Sequence, residues 1–168
     1  NIEEALDNLS VVDPACGSGS FLVGMLNILA GLYKLTYKNL NRPIDDFEIK
    51  KQIIGRSLYG VDVVEWACHV AELRLWLQLI VESELSLGDL KIKPLLPNLT
   101  FKIRPGDSLV QEIGAINLSL RNNRDLSPAL KRKLTELKQE KLKFFNNDPS
   151  RKYQSEELLL HVELTIFR

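Results

Sequence analysis

Val11-Val12-Asp13-Pro14-Ala15-Cys16-Gly17-Ser18-Gly19-Ser20-Phe21 restricts the fold of this chain more than any other segment. Two β-branched residues lead into an acid, a short Gly-x-Gly turn follows, and Phe21-Leu22-Val23 opens an apolar stretch. That order describes a strand that ends in a tight turn and passes directly into a helix. Glycine admits backbone conformations closed to other residues and lets the chain approach a ligand closely. The unpaired N–H groups of a first helical turn face the same ligand. In an α/β sheet this edge is where nucleotide-like cofactors bind.

The rest of the chain is read around that edge. Its 168 residues amount to about one domain, and 45% apolar content is enough for a real core. Lys and Arg total 22, as do Asp and Glu, so any contact with a polyanion must come from a local patch. Cys16 and Cys68 form no CxxC pair, which disfavours a disulfide framework and suits a reducing cytoplasm. With His69 and His161 they fit no zinc spacing, so no metal site is expected. No apolar run is read as reaching the ~20 residues of a membrane span. The chain begins at Asn1 rather than methionine, and its ends read as cut from something longer.

Periodicity predicts a short acidic helix over 1–8, a strand at 11–13 buried on both faces, and a helix from about 20 to 33. The wide stripe of that helix includes Phe21, Leu22, Leu26, Ile28, Leu29 and Leu32. A loop at 38–42 precedes a second helix over 45–55, and Leu58-Tyr59-Gly60-Val61-Asp62 reads as a strand. A long helix over 63–83 is expected to bury Trp66, Val70, Leu73, Trp76, Leu77 and Ile80, with Glu65, His69 and Glu72 on a solvated face. A loop at 88–97 leads to a third strand at 99–103. This order predicts an α/β fold, the first strands of a partial doubly wound, Rossmann-like parallel sheet.

Composition changes after Gln111, dividing the chain into 1–112 and 113–168. Ser127-Pro128 and Asp148-Pro149 each read as a cap followed by proline, which predicts a helical hairpin over about 128–145 and 148–167. Ten basic side chains between Arg121 and Lys152 face only Asp125, Glu136, Glu140 and Asp148. This charged helical insertion or extension is a solvated face, a DNA-backbone contact or a docking surface.

Two further acids complete a pattern with the glycine turn. Asp62 ends the second strand, where an acid accepts hydrogen bonds from a ribose diol. Its distance from the turn is roughly double the usual ~20 residues, because an extra helix occupies the crossover. Asp107, in Arg104-Pro105-Gly106-Asp107-Ser108-Leu109, follows the third strand and suits an adenine amino group. Against a dinucleotide stands the spacing: Phe21 and Leu22 follow Gly19, and the next glycine is Gly24 rather than the third of G-x-G-x-x-G.

Asp13-Pro14-Ala15-Cys16-Gly17-Ser18-Gly19 resembles the cofactor motif of S-adenosylmethionine-dependent N6-adenine DNA methyltransferases. The "SLYGVD" and "ELRLWLQL" wording is similar to that of large type IIG restriction–modification enzymes. The resemblance covers about residues 9–110. It implies that Asp13 and the 15–19 turn hold the methionine portion of S-adenosylmethionine, with Pro14, Phe21 and Ser108 as further cofactor contacts. By the same resemblance Asp62 takes the ribose, Val63 lies on the adenine face, Asp107 receives the adenine amino group, and Leu109 is an apolar neighbour. A cationic sulfonium suits an acid-lined pocket.

The family grips a flipped adenine with an Asn-Pro-Pro-aromatic loop. This chain has no Pro-Pro pair; Asn147-Asp148-Pro149-Ser150 reads as a helix cap. No catalytic residue is therefore assigned, and the chain alone is expected not to methylate. Double-stranded DNA, the remainder of the methyltransferase and a target-recognition domain are the implied partners. An RNA or protein methyltransferase, or a non-catalytic S-adenosylmethionine-binding assembly module, are the alternatives.

Overall fold

The computed structural model describes residues 2–82, 98–110, 112–113, 116–117 and 128–166. They form two compact units, Asn1–Ser108 and Leu109–Arg168. The first unit contains α1 (Ile2–Asp7), β1 (Val11–Asp13), α2 (Ser20–Asn39), α3 (Asp46–Arg56), β2 (Leu58–Asp62), α4 (Glu65–Glu82) and β3 (Ile103–Pro105). Its strands pair in parallel in the order β1-β2-β3, with Val11 opposite Leu58 and Gly60 opposite Ile103.

Helices α2, α3 and α4 pack on one another and on β2. Leu22 of α2 lies where a side chain on Gly60 would project, so Gly60, Leu58 and Ile103 belong to the helix-covered side of the sheet. The residues between them alternate to the other side. Val12 there is 59% exposed and Tyr59 is half-buried. The expectation of a first strand buried on both faces is therefore corrected: among the described residues, one face is covered and the other open.

Local chemistry explains the element bounds. Asp45 caps α3 by accepting the Glu48 N–H at 3.1 Å. Helix α2 continues to Asn39, beyond the expected end at 33, and absorbs the start of the expected loop at 38–42. Its buried stripe is narrower than periodicity suggested: Leu22, Leu26, Leu29, Ala30 and Tyr33 are inside, whereas Phe21, Ile28 and Leu32 are exposed. By length and composition alone α2 is long and apolar enough to cross a membrane, which corrects the expectation that no stretch qualifies. A core helix passes the same test, and α2 buries that stripe within its unit. Asp7 joins the layer together, accepting from Tyr33 Oη and Gln52 Nε2, both at 2.8 Å.

Helix α4 reverses an expectation. Its buried face is Ala67, Cys68, Ala71, Leu75 and Leu79, not the stripe of larger side chains. Trp66 is 69% exposed, and Leu73, Leu77 and Ile80 are exposed as well. Apolar side chains occupy more than one face of this helix, so periodicity alone could not choose between them. Close packing favours the face that begins with Ala67, Cys68 and Ala71 and continues with Leu75 and Leu79, because Ala71 lies against the backbone of Gly19. Strand β3 also sits later than predicted, at Ile103–Pro105, after a turn in which Leu99 O accepts from Lys102 N at 2.7 Å.

The second unit contains β4 (Glu112–Ile113) and β5 (Ile116–Asn117), an antiparallel pair, then α5 (Pro128–Phe145) and α6 (Glu156–Ile166). Sequence reading placed only the helical hairpin there. Among its described residues Leu137, Phe144, Phe145 and Leu159 are the buried apolar ones, and Lys141 pairs with Glu163 across the two helices at 2.5 Å. Asp148-Pro149 does not open α6. Asp148 instead accepts the Ser150 N–H at 2.7 Å in a local turn, a habit of aspartate that competes with helix capping. The predicted loop at 88–97, the Ser127 cap and the end at Phe167 lie outside the described residues.

Candidate functional site

The three strands end together, and their ends are laced by hydrogen bonds. Cys16 N donates to Val61 O at 2.9 Å, bringing the glycine turn over the end of β2. Gly106 N donates to Asp62 O at 2.8 Å, and Ser108 Oγ donates to Pro14 O at 2.7 Å. Asp13, the 14–19 turn, Asp62 and Ser108 are thus tied at the carboxyl ends of parallel strands, the edge where such sheets bind ligands. Asp107 lies exposed between Gly106 and Ser108.

Asp62 is the centre of this arrangement. Its Oδ2 accepts from Gly17 N at 2.8 Å and its Oδ1 from Val64 N at 2.9 Å. Each carboxylate oxygen has two lone pairs, so one remains on each for a ligand hydroxyl. Sequence reasoning placed Asp62 as a ligand contact but missed that it also staples the turn to β2. No local signal carries that fact, because the two residues are 45 positions apart. Asp13 plays a smaller part of the same kind, accepting from Ala15 N at 3.2 Å.

The N–H groups of Val64, first, and Gly17, second, hold the Asp62 carboxyl below the usual aspartate range. A carboxyl depressed in the folded state stabilises that state above its unfolded pKa, and the contribution fades as pH falls through the folded value. Stability is therefore expected to fall below about pH 4, the ordinary aspartate value. Urea midpoints measured from pH 6 to pH 2 check this: Asp62→Asn should flatten part of the acid limb. Equal acid slopes in both proteins would contradict the staple.

The turn uses glycine where it must. Gly17 and Gly19 have φ of 50° and 78°, in the left-handed region. A Cβ on Gly19 would stand 2.9 Å from Ala71 Cβ, whereas one on Gly17 would meet nothing within 4 Å. Gly17 therefore borders open space and Gly19 borders α4. Gly19 is the N-cap of α2, with no side-chain cap bond. Arg74 on α4, unremarked in the sequence, donates from Nη1 to Ser18 O, Ser18 Oγ and Ser20 Oγ at 3.3, 3.2 and 2.6 Å.

Other candidates fall on both sides of expectation. Cys16 is buried in the turn and Cys68 in the core, as expected of packing residues. Burial first, then the neighbouring Cys68, Asp13 and Asp62, pushes the Cys16 thiol up to about 11. Iodoacetamide at pH 8 is expected to leave Cys16 unmodified in the folded protein, roughly a hundredfold slower than a free thiol. Peptide mass mapping reads this, and rapid labelling before denaturation would contradict it. Val63 is 67% exposed beside Asp62, and Phe21 is exposed at the start of α2. Leu109 is 84% exposed and belongs to the second unit. His69 pairs with Glu72 at 3.6 Å on α4. Among the described residues, no group of three or more His, Cys, Asp or Glu is placed to hold a metal ion.

Comparison with known proteins bears on the same region. Residues 1–112 match the family described as the MmeI DNA-methyltransferase domain. A protein of Methanocaldococcus jannaschii, named as a type II restriction enzyme and methyltransferase, is 42% identical over 108 residues, 64% of this chain and 9% of that protein. DNA methyltransferase A of Bacillus subtilis is 27% identical over 77 residues, 46% of this chain and 9% of that protein. The chain therefore matches under a tenth of the length of each relative. No solved structure matches it. The family match takes in well over half of the sequence and contains the glycine turn, Asp62 and Asp107, so the chain belongs to the MmeI-type DNA-methyltransferase domains of restriction–modification proteins.

Proposed function

We propose that residues 1–112 bind S-adenosylmethionine as the cofactor half of a site-specific N6-adenine DNA methyltransferase, acting in the cytoplasm in restriction–modification or phage defence. Residues 113–168 serve as its charged helical hairpin, an insertion or extension. The observation that carries the reading is the Gly17–Asp62 hydrogen bond, which makes the glycine turn and the strand-end acid one site.

The donor set fits the cofactor. Asp62 keeps a lone pair on each carboxylate oxygen for the ribose hydroxyls. Open space at Gly17 leaves room for the ligand to approach the backbone. Acids at Asp13, Asp62 and Asp107 favour a cation over a phosphate. Asp13 and Pro14, Ala15, Cys16, Gly17, Ser18 and Gly19 hold the methionine portion, with Phe21 adjacent. Val63 lies on the adenine face and Asp107 receives the adenine amino group, with Ser108 as a further cofactor contact. S-adenosylmethionine, when bound, supplies a methyl group on positively charged sulfur. The chain's own residues bind and orient it, and the base-gripping loop and target recognition come from other parts of the enzyme.

Incubating the full-length protein with methyl-labelled S-adenosylmethionine and double-stranded DNA tests this. Digestion should yield labelled N6-methyladenine, and the isolated 168-residue chain should yield none. Label in RNA or protein instead, or methylation by the isolated chain, would overturn the proposal.

A further inference from the structure

A turn built around two left-handed glycines has little to hold its own shape. In this protein the 17–20 end of the turn is held from outside at three points, beyond the Cys16 N–Val61 O and Ser108 Oγ–Pro14 O bonds that tie its start. Asp62 takes the Gly17 N–H, Ala71 lies against Gly19, and Arg74 takes the oxygens of Ser18 and Ser20 on either side of Gly19. Ala71 and Arg74 are three residues apart on α4, so both leave the same face of the helix.

We propose that Arg74 is a positioning residue of the cofactor site: it fixes the 18–20 end of the glycine turn and thereby sets affinity for the amino-acid end of the cofactor. This rests on the S-adenosylmethionine reading above. A cation beside a helix N-terminus works against the helix dipole, so Arg74 adds little to the stability of α2. Its contribution is geometric, since one planar guanidinium gathers the Ser18 carbonyl and two hydroxyls. All three bonds leave Nη1, whose place is fixed by the rigid guanidinium plane; a lysine ammonium on its flexible stem carries the charge without that fixed position. The adenosine end, assigned to Asp62 and Asp107, is held by residues Arg74 does not touch.

Two ligands separate the ends. S-adenosylhomocysteine has the amino-acid end; 5′-methylthioadenosine has the same nucleoside and lacks it. In the full-length protein, Arg74→Ala is expected to weaken S-adenosylhomocysteine about tenfold and methylthioadenosine by less than about twofold. Arg74→Lys should recover only part of the loss, and Ser20→Ala should show a smaller loss of the same kind. Wild-type affinity for S-adenosylhomocysteine in Arg74→Ala would overturn the proposal. Equal weakening of both ligands would also overturn it, as the mark of a general structural defect. If the wild-type protein binds neither ligand, the cofactor reading itself falls and this inference with it.

Discussion

Gly19→Ala is expected to destabilise the first unit by about 2–5 kcal/mol. A left-handed conformation costs an alanine about 1–2 kcal/mol. Forcing a methyl into a filled space adds about 1–3 kcal/mol. The new Cβ would meet Ala71 at both Cβ, 2.9 Å away, and Cα, 3.1 Å away, so part of the obstacle is backbone that cannot rotate aside. Gly17→Ala is the internal control. It has nearly the same left-handed strain and no neighbour within 4 Å, so only the conformational part, about 1–2 kcal/mol, should be lost. Urea unfolding of the two variants at neutral pH reads the difference. Equal losses would mean that α4 does not press on the turn.

Asp62→Ala should weaken S-adenosylmethionine by about a hundredfold, the loss expected when two charge-assisted hydrogen bonds to a ribose disappear. Asp62→Asn should weaken it nearly as much, despite its matching shape. An asparagine has one oxygen and one amide nitrogen, yet Gly17 N and Val64 N both present hydrogens to this side chain. One of those donors would face another donor, and the turn would be pushed away from β2. Isothermal titration of the three proteins measures the effect. An asparagine variant with wild-type affinity would show that the carboxylate neither staples the turn nor holds the ligand.

Much of this arrangement was legible in the sequence because it is local. The turn announced itself by Gly17 and Gly19 in one short segment, and Asp45 announced the start of α3. Asp62 was legible as a strand-end acid by its place after Tyr59-Gly60-Val61. What the sequence hid is set by partners distant along the chain. Asp62 meets Gly17 across 45 positions, and Arg74 meets Ser18 across 56. Helix α4 hid its buried face for a different reason. It offers one apolar stripe that carries both tryptophans and another made of Ala67, Cys68, Ala71, Leu75 and Leu79, and partners distant along the chain, Gly19 against Ala71 among them, decide for the second. Asp148-Pro149 misled because aspartate closes a turn with the same side-chain oxygen that would cap a helix.

The cofactor assignment depends on a choice between S-adenosylmethionine and a dinucleotide. Side-by-side calorimetric titration of the protein with S-adenosylmethionine and with NAD tests that choice directly. The expected result is saturable heat with S-adenosylmethionine, abolished by prior saturation with S-adenosylhomocysteine, and none with NAD. Tighter binding of NAD would contradict the assignment.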